Sequence, residues 1–125
     1  MKKILVVDDD EMLCRFACDI LNVEGYRAVA AVSPAEALEA FDREHFDLVV
    51  TNSHMPGMTG IELAQTVRGK IPGIPVIVMT AYEPTECEHV KLWLPKRYLF
   101  PSLLEKIHLC LSEIEADVTK QIVTK

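Results

Sequence analysis

Short apolar runs alternate with amphipathic stretches along this chain. Four of the runs predict buried strands, at residues 4–7, 48–51, 76–79 and 92–94. A more mixed run over residues 26–32 predicts a fifth strand between the first two of these. Strands that are almost wholly apolar are typical of parallel sheets, because both of their faces are buried. We therefore expect an α/β fold, with helices covering both faces of a parallel sheet.

The first amphipathic stretch directly follows the first predicted strand. Its apolar positions recur at helical spacing and predict one buried face, made of Leu13, Phe16, Ala17, Ile20 and Leu21. Gly25 stands where such a helix would end, since glycine readily adopts the backbone conformation that closes a helix. The same spacing predicts a long closing helix from Leu103, Leu104, Ile107, Leu111 and Ile114.

Capping residues mark the start of two further helices. Ser33 and Glu36 enclose a proline at the first helical position, and Thr59 and Glu62 repeat the same spacing. The buried sides of these two helices are predicted from Ala37, Leu38 and Phe41 and from Ile61, Ala64 and Val67. Residues 83–91 are polar, and they predict only one weak helical passage between the fourth and fifth strands.

Polar residues follow or end most of the predicted strands. They are Asp8 and Asp9 after the first strand, Asn52 after the third, Thr80 after the fourth and Lys96 after the fifth. Right-handed crossovers between the strands produce a doubly wound sheet, whose ligands bind beyond the carboxyl ends of the strands. We therefore expect these five side chains to converge on one crevice.

The predicted crevice combines groups suited to phosphate chemistry. Adjacent carboxylates offer oxygen ligands to Mg²⁺, and a hydroxyl and an ammonium opposite them can hold phosphoryl oxygens. The carboxamide of Asn52 cannot take up a phosphoryl group as a carboxylate can. For the acidic triplet alone, the alternative is a helix start favoured by the helix dipole, with Asp10 as its N-cap. The pattern indicates a phosphotransfer-type site without its central nucleophile.

Composition narrows the classes of function. The 125 residues are half apolar and carry a formal charge of -6, which suits one compact domain. The absence of a basic cluster argues against nucleic-acid and acidic-membrane surfaces. The apolar run near the N-terminus ends at three aspartates, unlike an export signal, and no stretch approaches the roughly 20 apolar residues of a spanning helix. We expect a soluble, cytoplasmic protein.

Four cysteines and four histidines are scattered without the spacing of a zinc site. Cys14 and Cys18 lie four apart on a predicted helix, where they could be oxidised or bind metal. We instead expect them to be free thiols that serve as small apolar residues.

Taken together, these features resemble the receiver domain of two-component response regulators over essentially the whole chain. The matching stretches are residues 4–10, 47–60, 76–81 and 94–96. The resemblance implies a flavodoxin-like, CheY-like (βα)5 fold with strand order 2-1-3-4-5. We expect this domain to cover residues 1–119, followed by a polar tail at 120–125 that either finishes a stand-alone protein or precedes an output domain.

The resemblance also implies roles for the residues of the crevice. Asp8 and Asp9 would bind the metal together with the backbone carbonyl of His54. Thr80 and Lys96 would sense the phosphoryl group. Trp93 would be the aromatic residue that rotates on activation, although an ordinary core residue is the alternative.

Two departures from the family alter these expectations. The phosphoacceptor aspartate aligns with Asn52, because the stretch 55–57 fixes the register. Asn52 cannot accept a phosphoryl group from a kinase's phosphohistidine, and Mg²⁺ binding should weaken, although its amide oxygen can still accept a hydrogen bond from Lys96. The segment between Thr80 and Lys96, residues 81–95, is several residues shorter than is usual in the family. At a rise of about 1.5 Å per residue, this loss removes at least one turn of the fourth helix. Arg97 also replaces the usual proline.

Three hypotheses follow from these departures. The first is a pseudo-receiver, a non-enzymatic interaction module that binds a histidine kinase, another signalling protein or a second copy through its first and last helices and the shortened fourth region. The second is an ordinary phosphorylated receiver in which Asn52 is engineered or deamidates. A remote third is a phosphatase resembling the haloacid dehalogenase family, suggested by Asp8 and Asp10 with Thr80 and Lys96 downstream. That chemistry needs a later acidic pair at a strand end, and nothing after Lys96 supplies one.

Overall fold

A five-stranded parallel sheet forms the centre of the molecule. The computed structural model describes residues 1–80, 87–95 and 103–112. The strand order is β2-β1-β3-β4-β5, which confirms the expected doubly wound topology. The strands are β1 Lys3–Val7, β2 Arg27–Ala31, β3 Leu48–Asn52, β4 Val76–Thr80 and β5 Leu92–Pro95.

Helices cover both faces of the sheet. They are α1 Glu11–Val23, α2 Pro34–Arg43, α3 Gly60–Lys70 and the C-terminal helix, residues 103–112. One buried apolar cluster lies between the sheet and α1 with the C-terminal helix, and a second lies between the sheet and α2 with α3. Among the described residues, no helix is both long enough and apolar enough to cross a bilayer.

The predicted capping residues define the helix ends. Ser33 Oγ accepts a hydrogen bond from the Glu36 amide at 3.1 Å, and Thr59 with Glu62 forms a reciprocal capping box. Gly25 follows α1 with a φ of 98°, a left-handed conformation that costs a residue without a Cβ atom little. The predicted starts of α2 and α3 and the predicted end of α1 are confirmed.

The buried face of α1 differs from the prediction. Its buried residues are Cys14, Ala17, Cys18 and Leu21, whereas Phe16 is 55% exposed. Apolar residues occupy more than one side of this helix, so periodicity alone did not decide which side faces the sheet. The small side chains of cysteine and alanine let α1 lie close to β1, and the larger phenylalanine is left outside.

The cysteines of the described residues are free thiols, as expected. Cys14, Cys18 and Cys110 are buried within the first apolar cluster. Cys14 Sγ donates to the carbonyl of Val6 at 3.4 Å. The hydrogen bond to Cys14, and then burial, raise the pKa of Cys18, so its thiol stays protonated at neutral pH. The three buried cysteines act as small core residues.

The connection between β4 and β5 contains the shortened fourth region. Residues 81–86 lie outside the described part of the chain. Residues 87–91 form a turn and a bend, so this part of the predicted helical passage is not helical. Lys96, Arg97, Ile114 and the tail at 120–125 also lie outside the described residues.

Candidate functional site

Three of the predicted site residues lie at neighbouring strand ends. Asp8 directly follows β1, Asn52 is the last residue of β3, and Thr80 is the last residue of β4. These strands are adjacent in the sheet, and all three side chains are buried. Asp9 lies beside them at an exposed position of the rim. The structure thus brings four of the five predicted residues to one edge, while Lys96 is outside the described residues.

The acidic end of β1 is ordered by hydrogen bonds to the end of β2 and within residues 8–13. The Asp8 amide donates to the carbonyl of Ala31 at 3.1 Å, and Asp8 Oδ1 accepts from the Asp10 amide at 3.0 Å. Asp10 Oδ1 in turn accepts from the amide of Leu13 at 3.2 Å. Asp10 is therefore the N-cap of α1, as in the alternative interpretation of the acidic triplet, and its carboxylate serves the helix start.

The side-chain amide of Asn52 links two parts of the site. Its Nδ2 atom donates to Asp9 Oδ1 at 3.2 Å and to the backbone carbonyl of His54 at 3.0 Å. Both amide hydrogens therefore have acceptors. The opposite orientation of the amide would place its oxygen against two acceptors, so the hydrogen-bond network fixes which atom faces them. Asn52 thereby ties the end of β1 to the loop after β3.

The loop at residues 53–59 is held at both of its ends. The Ser53 amide donates to the carbonyl of Met79 at 2.9 Å, and the Gly60 amide donates to the carbonyl of Ser53 at 2.8 Å. Met55 is buried in the second apolar cluster, and Gly57 takes a left-handed φ of 90°. The loop therefore presents the carbonyl of His54 from a fixed backbone.

Gly60 packs against the backbone of Asn52. A Cβ atom at this position would lie 2.5 Å from the carbonyl oxygen of Asn52 and 3.1 Å from the Cα atom of Ser53. Both neighbours are backbone atoms and cannot rotate away. Sequence reasoning did not identify this contact, although a glycine directly after the N-cap Thr59 was a signal, because glycine is a poor helix former.

Trp93 lies on β5, where its Cα atom pairs with that of Val78. Its side chain is half-buried and packs against the second apolar cluster. A core position and a movable aromatic residue are both compatible with this packing.

The oxygen atoms at this edge are of the type that Mg²⁺ prefers. They are the carboxylates of Asp8 and Asp9 and the backbone carbonyl of His54. However, two of these groups already accept hydrogen bonds from Asn52. Within the described residues, no three or more acidic, histidine or cysteine side chains are placed to hold a metal ion. In this arrangement, Asp9 and the His54 carbonyl are therefore engaged with the Asn52 amide, and Asp8 is the remaining oxygen ligand.

The comparisons with known proteins agree with this fold. The family model of the response regulator receiver domain matches residues 4–92. The chain belongs to the response regulator receiver family. A receiver domain from Methanospirillum hungatei, described as CheY-like, is 30% identical, covers 94% of this chain and 98% of its own, and superposes with a TM-score of 0.84.

Two further receivers provide context for this domain. TrrA of Thermotoga maritima is 33% identical, with a TM-score of 0.78 and coverage of 86% of this chain and 97% of its own, in a complex with Mg²⁺-BeF. TrrA has also been solved in complex with the histidine kinase ThkA. The transcriptional regulatory protein ZraR of Klebsiella oxytoca is 38% identical over 112 residues, or 88% of this chain. The chain spans only 17 to 25% of the length of the curated regulators that it matches first.

Proposed function

We propose that this receiver domain works in a two-component pathway without being phosphorylated. It is a cytoplasmic protein-interaction module and not an enzyme. One observation carries the proposal: Asn52 ends β3 beside the acidic pair, with its amide bonded to Asp9 and to the His54 carbonyl. The stretch 55–57 matches the family without an insertion, so Asn52 occupies the position of the phosphoacceptor aspartate.

The chemistry of an amide prevents phosphotransfer at this position. An acceptor aspartate attacks phosphorus with an anionic carboxylate oxygen and becomes an acyl phosphate. Asn52 has no anionic oxygen, and its nitrogen lone pair is delocalised into the carbonyl group. Its nitrogen is also engaged as a donor of two hydrogen bonds.

Loss of the acceptor changes the metal and sensing groups as well. The complex of TrrA with Mg²⁺-BeF supports a metal site in that relative. Here the pocket keeps Asp8 and Asp9 but lacks the third carboxylate, so Mg²⁺ binding is weakened. Thr80 and Lys96 have no phosphoryl group to sense. Trp93 then keeps one packed position, and the signalling surface does not depend on phosphorylation.

An exposed apolar stripe on α1 is the proposed interaction surface. Met12 and Val23 are each 84% exposed, and together with Phe16 they lie along one side of the helix. Leu109 on the C-terminal helix is also exposed. Exposed apolar groups that share one face mark interaction sites. Asp19 of α1 and the C-cap residue Glu24 flank the stripe, which favours a partner with apolar and basic side chains.

We assign this surface to a helical region of a sensor histidine kinase. The solved complex between TrrA and the kinase ThkA supports a kinase as the class of partner. Another signalling protein or a second copy of this chain would be the alternative occupants. A second copy would appear as a dimer in sedimentation, and Phe16→Ser would dissociate it.

Binding to a kinase should depend on Phe16 but not on ATP. We expect the intact chain to bind one of its organism's histidine kinases equally with and without ATP. Phe16→Ser should weaken binding about tenfold or more, because a central aromatic contact carries much of an interface's affinity. Biolayer interferometry against the cytoplasmic regions of these kinases provides the measurement.

Glu39→Ser is the matched control for this experiment. Glu39 is also exposed but lies on α2, which covers the other face of the sheet. It should leave the dissociation constant unchanged. Binding that requires ATP, or that survives Phe16→Ser, would contradict the proposal.

Deamidation of Asn52 would instead restore an ordinary acceptor. This reaction needs the backbone nitrogen of Ser53 to attack the side-chain carbon of Asn52. That nitrogen donates to the carbonyl of Met79 at 2.9 Å, which continues the pairing of β3 with β4. The amide of Asn52 is also held by its two acceptors. Both contacts oppose the geometry that deamidation requires.

We therefore expect no phosphorylation of aged protein. The chain is incubated in mildly alkaline buffer, and acetyl phosphate and Mg²⁺ are then added. Intact mass spectrometry should show no added phosphoryl group, and peptide mapping should show unmodified Asn52. A phosphoryl group on residue 52 would establish the ordinary receiver instead.

The phosphatase alternative predicts turnover of p-nitrophenyl phosphate that Asp8→Asn abolishes. We expect the wild type to show no turnover.

A further inference from the structure

We propose that the amide of Asn52 takes the place of the divalent cation in this pocket. It ties the acidic end of β1 to the loop at residues 53–59, so that the pocket is closed without metal. We build this on the proposed function, which assigns Asn52 to the phosphoacceptor position.

The distances suit hydrogen bonds and not metal coordination. Nδ2 of Asn52 lies 3.2 Å from Asp9 Oδ1 and 3.0 Å from the carbonyl oxygen of His54. These are ordinary N–H···O lengths. Mg²⁺ would need both oxygens at about 2.1 Å from a single centre. Because the amide nitrogen already bridges these two oxygens, a cation that uses both of them competes with it.

Displacement of the amide has a definite cost. Asn52 is only 7% exposed, so few water molecules can replace the bonds that it would lose. The bond to Asp9 joins a donor to a carboxylate, and such charge-assisted bonds are stronger than neutral ones. A cation that takes the lone pairs used in these bonds must break both bonds and rotate the amide. The wild-type pocket thus satisfies internally two of the three groups that a metal would otherwise satisfy, Asp9 and the carbonyl of His54.

An aspartate at position 52 should remove the hydrogen bonds that close the pocket without metal. It has no N–H group to donate, and its carboxylate would face the Asp9 carboxylate and the carbonyl of His54. In the absence of a cation, these groups repel one another. Asn52→Asp should therefore make the pocket dependent on metal, whereas the wild type is independent of it.

The experiment measures Mg²⁺ binding by the full chain. Thermal unfolding and ¹H-¹⁵N NMR spectra are recorded in EDTA and in millimolar MgCl₂ for the wild type, Asn52→Asp and Asn22→Asp. Asn22 is the matched control, since it undergoes the same chemical change in α1, where its Oδ1 accepts from the Ala28 amide. The midpoints of the wild type and Asn22→Asp should not change with Mg²⁺.

Asn52→Asp should gain stability with Mg²⁺ and bind it about tenfold or more tightly than the wild type. In the wild type, the side-chain NH₂ resonances of Asn52 should stay in place as Mg²⁺ is added. Equal Mg²⁺ affinity in the two proteins, or a large shift of those NH₂ resonances, would overturn the proposal. The NH₂ measurement decides the outcome even if Asn52→Asp does not fold.

Failure of this proposal is distinguishable from failure of the proposed function. If the wild type binds Mg²⁺ tightly but is not phosphorylated by acetyl phosphate, only the proposal that the Asn52 amide takes the place of the cation is overturned. Phosphorylation of the wild type at residue 52 overturns the proposed function itself.

Discussion

On the proposed function, Asn52→Asp should gain a phosphoryl group from acetyl phosphate, whereas we expect the wild type to gain none. The substitution supplies the missing carboxylate at the end of β3, next to the two acids that follow β1. The buried hydroxyl of Thr80 ends the neighbouring strand. Because the substitution supplies both a nucleophile and a third oxygen ligand, we expect the variant to take up a phosphoryl group. Intact mass after incubation with acetyl phosphate and MgCl₂ measures it.

Two controls accompany this substitution. Asn22→Asp adds the same charge far from the pocket and should remain unmodified. Omission of MgCl₂ should abolish modification of Asn52→Asp, because the metal neutralises the charge of the transferring group. A folded Asn52→Asp protein that binds Mg²⁺ but stays unmodified would show that this pocket lacks more than the acceptor.

Gly60→Ala should destabilise the fold by about 1 to 3 kcal/mol, the usual range for overpacking a filled interior. The new methyl group would lie 2.5 Å from the carbonyl oxygen of Asn52, so α3 or the end of β3 must move. Such movement would also disturb the hydrogen bonds of the Asn52 amide. Urea unfolding followed by circular dichroism measures the change in the free energy of unfolding.

Gly69→Ala is the matched control in the same helix. A Cβ atom at Gly69 meets nothing within 4 Å, so the substitution should be neutral or stabilise α3 by up to about 1 kcal/mol. If Gly60→Ala proved as stable as Gly69→Ala, the close approach of α3 to β3 would not constrain the site.

Local signals predicted much of this fold because they act over only a few residues. The apolar runs of β1, β3 and β4 marked the buried centre of the sheet. The capping pattern of Thr59 with Glu62 marked the start of α3, and Gly25 marked the end of α1. Each of these depends on the backbone within about one turn of helix or one strand.

Local signals did not predict which side of α1 faces the sheet. Both Phe16 and Cys14 belong to apolar stripes, and the sequence favoured the larger residue. Packing against β1 favours the smaller one, because the distance between helix and sheet is set by all the side chains between them. The resulting exposure of Phe16 created the surface that we assign to a partner.

By itself, the sequence predicted the strands and the residues at the carboxyl edge of the sheet, while its resemblance to receiver domains implied the strand order. Strand polarity and crossover direction place Asp8, Asn52 and Thr80 there whatever the details of packing. Only the tertiary structure decided which atoms of these residues meet. The two hydrogen bonds of the Asn52 amide and the approach of Gly60 join segments distant along the chain, at separations of a few ångströms set by the whole packed core.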